Sequence, residues 1–167
     1  MPGFLSMDEI RYQPIGVIHS PHKEPQGTPI QPTVAQGIRG TVEIFPQFAD
    51  GLQDLSGFSH IILLYHLHRV KDTRLKVKPF LDDTVRGVFA TRAPTRPNPI
   101  GLSIVRLVGI ERNILRIEDV DILDGTPLLD IKPYVTQFDA RGAERQGWLD
   151  ENVEQLPGKV DDGRFAL

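Results

Sequence analysis

The sequence predicts a mainly β protein: a single small antiparallel β-barrel with short helical additions. About seven short segments with strand-like apolar patterns are separated by turn residues, whereas helical spacing is rare. The length of 167 residues, 40% of them hydrophobic, suits one domain with an ordinary core. Because many short strands occur with little helix, a closed or nearly closed barrel is favoured over a parallel sheet.

The predicted strands are residues 14–20, 39–45, 58–67, 85–91, 100–110, 114–120 and 128–132. The run 58–67 is mostly apolar and follows Gly57, which is typical of a buried central strand. In 39–45, Val42 and Ile44 alternate with polar neighbours. Between the first two strands lies a loop too rich in proline for a helix or a central strand, with Pro21, Pro25, Pro29 and Pro32.

Turn signals separate the later strands. Residues 111–113 predict a hairpin turn, and Asp124 with Gly125 forms the strongest turn signal of the chain. A short helical turn is expected at 49–55. A short helix is expected at 148–156, where apolar residues recur at helical spacing before Pro157. The predicted organisation is an N-terminal extension (1–11), a β-barrel domain (12–138) and a C-terminal tail with a short helix (139–167).

Composition excludes several classes of function. The formal net charge of −3 gives no general attraction to nucleic acid, so such a partner requires a local patch. The chain contains no cysteine, which excludes disulfides and thiolate chemistry. Its start resembles no secretion signal, and its apolar runs are far shorter than the roughly 20 residues of a membrane span. A cytoplasmic location is therefore expected.

Common sequence motifs are also missing. The chain has no glycine-rich dinucleotide or phosphate loop, no zinc-protease motif and no nucleophile-elbow motif. Rossmann-type cofactor binding and the commonest hydrolase schemes therefore lose their usual support.

Histidines concentrate in one strand-like segment and invite a metal hypothesis. His60, His66 and His68 share one parity, but on a strand His60 would lie roughly 26 Å from His68, so the three cannot share an ion. We expect no metal site, and favour a structural or pocket role for the pair His66 and His68. His68, beside Arg69 at the end of a buried strand, is the better candidate for contact with a ligand.

The segment 87–107, GVFATRAPTRPNPIGLSIVRL, carries the strongest signal for function. Prolines between and after Arg92 and Arg96 stiffen the loop, so the two guanidinium groups would be preorganised to bind a carboxylate or a phosphate. Gly101 permits close approach of a flat group, and Leu102 could supply apolar contact. A rigid surface turn whose arginines pair with Asp82, Asp83 or another acid explains the pattern equally well.

The segment 122–134, ILDGTPLLDIKPY, offers carboxylates near a turn. Asp130 and Lys132 share a face and could form an ion pair, or Asp130 could accept a proton from a reacting amine. For Asp124, simple turn chemistry is at least as good an explanation. A basic run comprising Arg69, Lys71, Arg74, Lys76 and Lys78 could meet a phosphate backbone, although a solvated edge strand is the favoured interpretation.

Four segments together resemble the TsaA/TrmO-like family in order and spacing. They are PIGVIHSPHK (14–23), GFSHIILLYHLHR (57–69), GVFATRAPTRPNPIGLS (87–103) and LDGTPLLDIKPY (123–134), and the pattern ATR-x-x-x-RPNPIG is highly specific. The resemblance implies a β-barrel methyltransferase, S-adenosylmethionine as methyl donor, and a homodimer. Characterised family members methylate the threonylcarbamoyl-modified adenosine beside the tRNA anticodon, which implies transfer to its N6 nitrogen.

The resemblance also implies a set of cofactor-binding residues. They are Pro32, Thr33, Val34, His68, Arg69, Arg92, Leu102, Ile122, Leu123, Asp124 and Gly125. Arg92 would bind the carboxylate of the cofactor, Leu102 the adenine, and carbonyl groups near Asp124 the sulfonium. Asp130 is the candidate catalytic group near the acceptor. The chain is expected to be a short form, without the extra C-terminal domain of longer bacterial members.

The sequence is also compatible with two other functions. The barrel could hold S-adenosylmethionine or another nucleotide as a regulatory ligand and transfer nothing. It could also bind RNA through the basic run without a cofactor.

Overall fold

The computed structural model describes residues 9–165. Residues 1–8 of the predicted extension and 166–167 of the predicted tail lie outside the described part. In chain order the elements are β1 (Gly16–His19), β2 (Arg39–Ile44), β3 (His60–His66), β4 (Lys76–Val77), β5 (Arg86–Gly87), β6 (Ile100–Glu111), β7 (Ile114–Glu118), β8 (Thr126–Pro133) and α1 (Thr136–Asp139). Short 3-10 turns lie between several of them.

Six strands close an antiparallel barrel in the order β1-β2-β7-β6-β3-β8, and β8 returns to pair with β1. Strands β3 and β6 pair along the whole length of β3, and their register places Tyr65 opposite Gly101 and Leu63 opposite Ser103. Closure leaves the barrel without a free sheet edge. The predicted fold class, a small antiparallel β-barrel with short helical additions, is confirmed.

Alternate residues of each strand build the core, as a period of two requires. The buried residues of β3 are Ile61, Leu63 and Tyr65, and those of β6 that face inward are Ser103, Val105 and Leu107. The outer face of β6 is apolar over its first half, where Ile100, Leu102 and Ile104 are exposed. The exposed Arg106 then separates these residues from Val108.

Two predicted elements are wrong in detail. Within 85–91 only Arg86–Gly87 is strand. Val88–Ala90 forms a 3-10 turn closed by the Thr91 amide, which donates to the Val88 carbonyl at 3.1 Å, and the Thr91 hydroxyl donates to the same carbonyl at 2.9 Å. The predicted helix at 148–156 is two 3-10 turns, Gly147–Leu149 and Val153–Gln155. The Asn152 side-chain amide donates to the Trp148 carbonyl at 2.7 Å and occupies an acceptor that a longer helix would use.

The long loops gather at one end of the barrel. Strands β1 and β3 end there, and β6 and β8 begin there, so the connections 20–38, 67–99 and 119–125 lie side by side. A small apolar cluster of Val77, Val88, Ala93 and Phe165, with Phe80 packed against it, stabilises the longest of these loops. In the described residues, no helix is long and apolar enough to cross a membrane.

Candidate functional site

A cavity of about 380 Å³ opens where these loops meet, and we call it the barrel-end cavity. Its walls come from the proline-rich loop, the end of β3, the loop before β6, the start of β6 and the turn before β8. Six of the predicted site residues line it: His68, Arg69, Arg92, Leu102, Ile122 and Leu123. The cavity therefore brings together three sequence segments that are distant along the chain.

The two arginines of the stiff loop have different surroundings. Arg92 lines the cavity, is exposed, and donates from Nη1 to Gln31 Oε1 at 2.9 Å. Arg96 also borders the cavity, but its Nη1 donates to the carbonyls of Thr91 and Ala93 at 3.0 and 3.1 Å. Arg96 therefore clamps its own loop, whereas Arg92 can turn its guanidinium toward a ligand.

Neither arginine pairs with Asp82 or Asp83, the two acids named for the surface-turn interpretation. Asp82 binds Arg86, with Nη2 to Oδ2 at 2.6 Å, and Asp83 faces Lys78 at 3.4 Å. The contact with Arg86 lowers the pKa of Asp82. The structure therefore favours the ligand-binding interpretation for Arg92 and the structural one for Arg96.

His68 and Arg69 line the cavity at the end of β3. Burial lowers the pKa of His68, and the charge of Arg69 lowers it further, so the imidazole is neutral at pH 7. The Arg69 guanidinium lies 3.1 Å from Glu24 Oε2. Among the described residues, no cluster of three or more histidine or acidic side chains could hold a metal ion.

The turn at Asp124 and Gly125 holds in place two residues of the cavity wall, Ile122 and Leu123. Asp124 accepts hydrogen bonds from the Ser20 amide at 3.1 Å and from Lys23 Nζ at 2.6 Å, and the bond from Lys23 is the main cause of its lowered pKa. Gly125 has φ +78°, and its amide donates to the Ile18 carbonyl at 2.9 Å. Ile122 and Leu123 line the cavity, whereas Asp124 and Gly125 fix the turn that presents them.

The predicted residues of the proline-rich loop lie beside the cavity. Pro32 to Val34 form a 3-10 turn, and Pro32 and Thr33 line a neighbouring groove. The barrel-end cavity itself is lined by residues that come earlier in the loop: Pro25, Thr28, Pro29, Ile30 and Gln31. Gln31, the partner of Arg92, was not predicted, since a lone glutamine in a loop gives no recognisable signal.

Asp130 does not line the barrel-end cavity. Asp130 lies on β8, opposite Leu64 of β3, and its carboxylate forms an ion pair with Lys132 at 3.0 Å. It borders a different cavity, which Phe48 and Ile131 also line. The predicted ion pair between Asp130 and Lys132 is therefore present. The predicted catalytic role of Asp130 stays a prediction, and the geometry offers another carboxylate nearer the cavity.

That carboxylate belongs to Asp121, which the sequence analysis did not single out. Asp121 lines the cavity, and its Oδ1 accepts a hydrogen bond from Ser103 Oγ at 2.6 Å. Ser103 Oγ in turn lies 2.9 Å from the Tyr65 hydroxyl. A weak signal existed, because Ser103 occupies an inward position between apolar residues of β6, where a hydroxyl needs a buried partner.

Burial controls the protonation of this network. It raises the pKa of Asp121 to about 6, although the hydrogen bond from Ser103 and the charge of Arg92 oppose the shift. Burial, and then the charge of Asp121, raise the pKa of Tyr65 well above its usual value, so the phenol stays protonated. At neutral pH the cavity thus contains a mostly ionised carboxylate that can take up a proton.

Gly101 makes room for the Tyr65 ring. A Cβ atom at this position would overlap the ring of Tyr65, which lies opposite Gly101 in the β3-β6 pair. From the sequence, Gly101 was expected to admit a flat group, and the flat group that it accommodates is a side chain of the protein.

A larger groove of about 1030 Å³ adjoins the cavity. The two share Arg92, Leu102 and Phe165 among their lining residues. The groove is mainly apolar, and its walls include Phe89, Ile104, Trp148 and Leu149. The arginines, Asp121 and the apolar walls together suit a ligand that carries both charges and a flat apolar ring.

Comparison with known proteins agrees with this geometry. Residues 17–140 match the family domain described as the tRNA-methyltransferase O N-terminal domain. A probable S-adenosyl-L-methionine-binding protein of Pyrococcus abyssi is 62% identical over 156 residues, which cover 93% of this chain and 85% of that protein. The tRNA (adenine(37)-N6)-methyltransferase of Escherichia coli K12 is 38% identical over 139 residues, 77% of this chain and 59% of that enzyme.

A solved structure shares the fold. The crystal structure of TrmO from Pseudomonas aeruginosa has a TM-score of 0.73 and 40% identity, and the match covers 88% of this chain and 64% of that one. The chain thus spans about two thirds of that bacterial protein. The family match covers more than half of the chain, and the resemblance seen in the sequence is confirmed. The chain belongs to the tRNA-methyltransferase O family, and its residues 17–140 correspond to the N-terminal domain of that family.

Proposed function

We propose that this protein is an S-adenosylmethionine-dependent methyltransferase that acts on tRNA. The observation that carries the proposal is the barrel-end cavity, which Arg92 of the most specific family motif and Leu102, the residue directly after that motif, line together with His68, Arg69 and Ile122. The names of the relatives from P. abyssi and E. coli support the donor and the class of acceptor, respectively. We propose the N6 nitrogen of threonylcarbamoyl-adenosine as the acceptor atom, on the basis of the family resemblance.

The cavity suits the donor chemically. Arg92 and Arg69 can bind the carboxylate of S-adenosylmethionine, and Leu102 and Ile122 can pack against its adenine. Asp121 supplies negative charge for its cationic groups. When bound, the cofactor supplies a methyl group on a positively charged sulfur.

Within this proposal, Asp121 takes the proton that the acceptor nitrogen loses. Its carboxylate lies in the cavity wall, and a pKa of about 6 makes it mostly ionised at neutral pH but able to hold a proton. Ser103 orients the carboxylate through its hydrogen bond, and Tyr65 orients Ser103. We assign this role to Asp121 rather than to Asp130, which borders another cavity.

Mass spectrometry of nucleosides tests the proposed function. The purified chain is incubated with S-adenosylmethionine and total tRNA, and the tRNA is then digested to nucleosides. We expect one additional methyl group on threonylcarbamoyl-adenosine. If the protein binds S-adenosylmethionine but no nucleoside gains a methyl group, the chain is a cofactor-binding protein. This second candidate agrees with the name of the P. abyssi relative.

The tRNA partner has limited support from the basic run. Three of its five members already face acids: Arg69 faces Glu24 at 3.1 Å, Arg74 faces Asp72 at 2.8 Å, and Lys78 faces Asp83 at 3.4 Å. Lys76 lies in the two-stranded ribbon of β4 and β5, as an edge-strand role would place it. We therefore propose that the tRNA contacts the mouth of the cavity. Separately, we propose that the protein works in the cytoplasm.

We further propose that the protein is a homodimer. The supporting observation is the outer face of β6, where Leu102, Ile104 and Val108 are 47%, 37% and 50% exposed, with Phe89 nearby at 76%. Exposed apolar residues clustered on a barrel strand are typical of an interface between subunits, and Arg106, which separates Ile104 from Val108 on this face, could contribute a polar contact at its edge. Because Leu102 also lines the cavity, the proposed interface adjoins the proposed cofactor site.

A further inference from the structure

The chain beyond the matched family domain packs against the barrel-end cavity. We call residues 147–165 the C-terminal segment; they follow the family match, which ends at residue 140. The segment has little regular secondary structure apart from the 3-10 turns Gly147–Leu149 and Val153–Gln155. Its position therefore depends on contacts with the rest of the protein.

One set of contacts joins the segment to the proline-rich loop. The Gly27 amide donates to the Asp161 carbonyl at 2.6 Å, and the Asp161 amide donates to the Thr28 carbonyl at 2.7 Å. Pro29 and Val160 form an antiparallel bridge. The residues held in this way immediately precede Ile30 and Gln31, which line the cavity.

A second set of contacts joins the segment to the loop between β3 and β6. The Trp148 indole donates to the Ala90 carbonyl at 2.8 Å, two residues before Arg92. Arg164 Nη1 donates to the Pro79 carbonyl at 2.8 Å. The Phe165 ring packs edge-on against Phe80, with 5.1 Å between ring centroids. The segment thus connects two of the three loops that border the cavity.

Two side chains of the segment reach the cavity itself. Phe165 is only 6% exposed and lines both the cavity and the neighbouring groove. Asp161 lines the cavity, and its Oδ1 accepts a hydrogen bond from the Gly163 amide at 2.6 Å. Burial raises the pKa of the Asp161 carboxyl, so its negative charge is poorly solvated. A cationic ligand would offset that loss of solvation.

We propose that the C-terminal segment is part of the cofactor site, with Phe165 as an apolar wall and Asp161 as a counter-charge for the cationic part of S-adenosylmethionine. This inference rests on the proposed function of the cavity. Because the ligand would contact the docked segment, binding and docking stabilise each other. The family domain then holds the remaining walls, and the segment completes the site.

Calorimetric titration with S-adenosylmethionine tests the proposal on the full chain. We expect Phe165→Ala to weaken binding about 10-fold and Asp161→Asn about 5-fold, in line with the loss of a buried ring or of a charge partner. Asp161→Asn retains the side-chain oxygen that accepts the Gly163 amide, so the local turn stays intact. Phe138→Ala, at an aromatic residue that is 73% exposed, is the matched control and should not change the affinity.

Limited trypsin digestion gives a second readout that does not depend on activity. Saturating S-adenosylmethionine should slow cleavage after Lys159 in the unmodified chain by more than about 5-fold, because docking protects the segment. If both variants bind S-adenosylmethionine as tightly as the unmodified chain, or if cleavage after Lys159 is equal with and without the cofactor, the role of the C-terminal segment is overturned but the proposed function is not. Absence of cofactor binding by the unmodified chain would overturn the proposed function as well.

Discussion

Arg92 and Arg96 show how one loop divides its residues between a ligand and the fold. The sequence predicted two preorganised guanidinium groups on a stiff proline loop. It could not assign their separate roles, because these depend on which carbonyls the folded loop turns toward Arg96. Asp121 shows a similar limit. Its burial and its hydrogen bond to Ser103 arise only when β6 and the turn before β8 meet.

Substitution of the two arginines should therefore affect different properties: ligand binding for Arg92 and stability for Arg96. Arg92→Ala should weaken S-adenosylmethionine binding by about 10- to 100-fold, since a charged hydrogen bond contributes about 1.5–3 kcal/mol. Its melting temperature should stay within about 2 °C of that of the unmodified protein. Arg96→Ala should lower the melting temperature by about 3–6 °C, because it removes two bonds to loop carbonyls. Calorimetry and thermal unfolding measure the two effects, and the reverse pattern would contradict these assignments.

The buried carboxyl of Asp121 makes stability depend on pH. Its folded-state pKa of about 6 lies above its ordinary value of 3.8, so the folded protein binds this proton more tightly than the unfolded chain does. The contribution of Asp121 to stability is therefore greatest below pH 4 and is lost as the pH rises to about 6. Between pH 4 and 7, unmodified protein should lose about 2–3 kcal/mol of unfolding free energy relative to Asp121→Asn.

Urea unfolding of both proteins across this pH range measures the difference. Other carboxyls with shifted pKa values, such as Asp82 and Asp124, contribute equally to both proteins, so their effects on stability cancel in the difference. Their pKa values are lowered, and they therefore stabilise the fold more as the pH rises. If the two stability curves stay parallel between pH 4 and 7, Asp121 does not have a raised pKa.

At the scale of elements, local patterns predicted the strands well where an apolar run or an alternation continued for several residues. The apolar run 58–67 contains β3, the alternation of Val42 and Ile44 lies in β2, and the structure places both strands in the barrel. The pattern failed at 85–91 and 148–156. There, a threonine hydroxyl, an asparagine amide and an indole satisfy backbone carbonyls that a strand or helix would use. Such bonds come from individual side chains, which periodicity does not record.

The outer face of β6 carries a prediction about assembly. Ile104→Glu places a charge in the centre of the exposed apolar face, and we expect it to convert a dimer into a monomer. Val85→Glu introduces the same charge at another exposed apolar residue, outside β6, and should leave the dimer intact. Analytical ultracentrifugation measures the mass of each species. A dimer that tolerates Ile104→Glu would mean that the subunits meet elsewhere.

At the scale of the whole molecule, barrel closure explains why the site is assembled at one end. The barrel brings the ends of β1 and β3 beside the beginnings of β6 and β8, and every residue that lines the cavity belongs to these termini, the loops between them or the C-terminal segment. The family motifs predicted six of the lining residues. The contribution of Phe165 could not be predicted, since it depends on the C-terminal segment folding back over residues that are distant along the chain.

The central claim is that this cavity supports methyl transfer, with Asp121 taking up a proton at its wall. The most direct test is single-turnover transfer of a labelled methyl group from S-adenosylmethionine to tRNA, with cofactor affinity measured on the same preparations. We predict transfer by the unmodified chain, and a rate at least about 100-fold lower for Asp121→Asn with cofactor binding retained. Transfer at an unchanged rate by Asp121→Asn would contradict this mechanism, and absence of transfer by the unmodified chain would contradict the proposed activity.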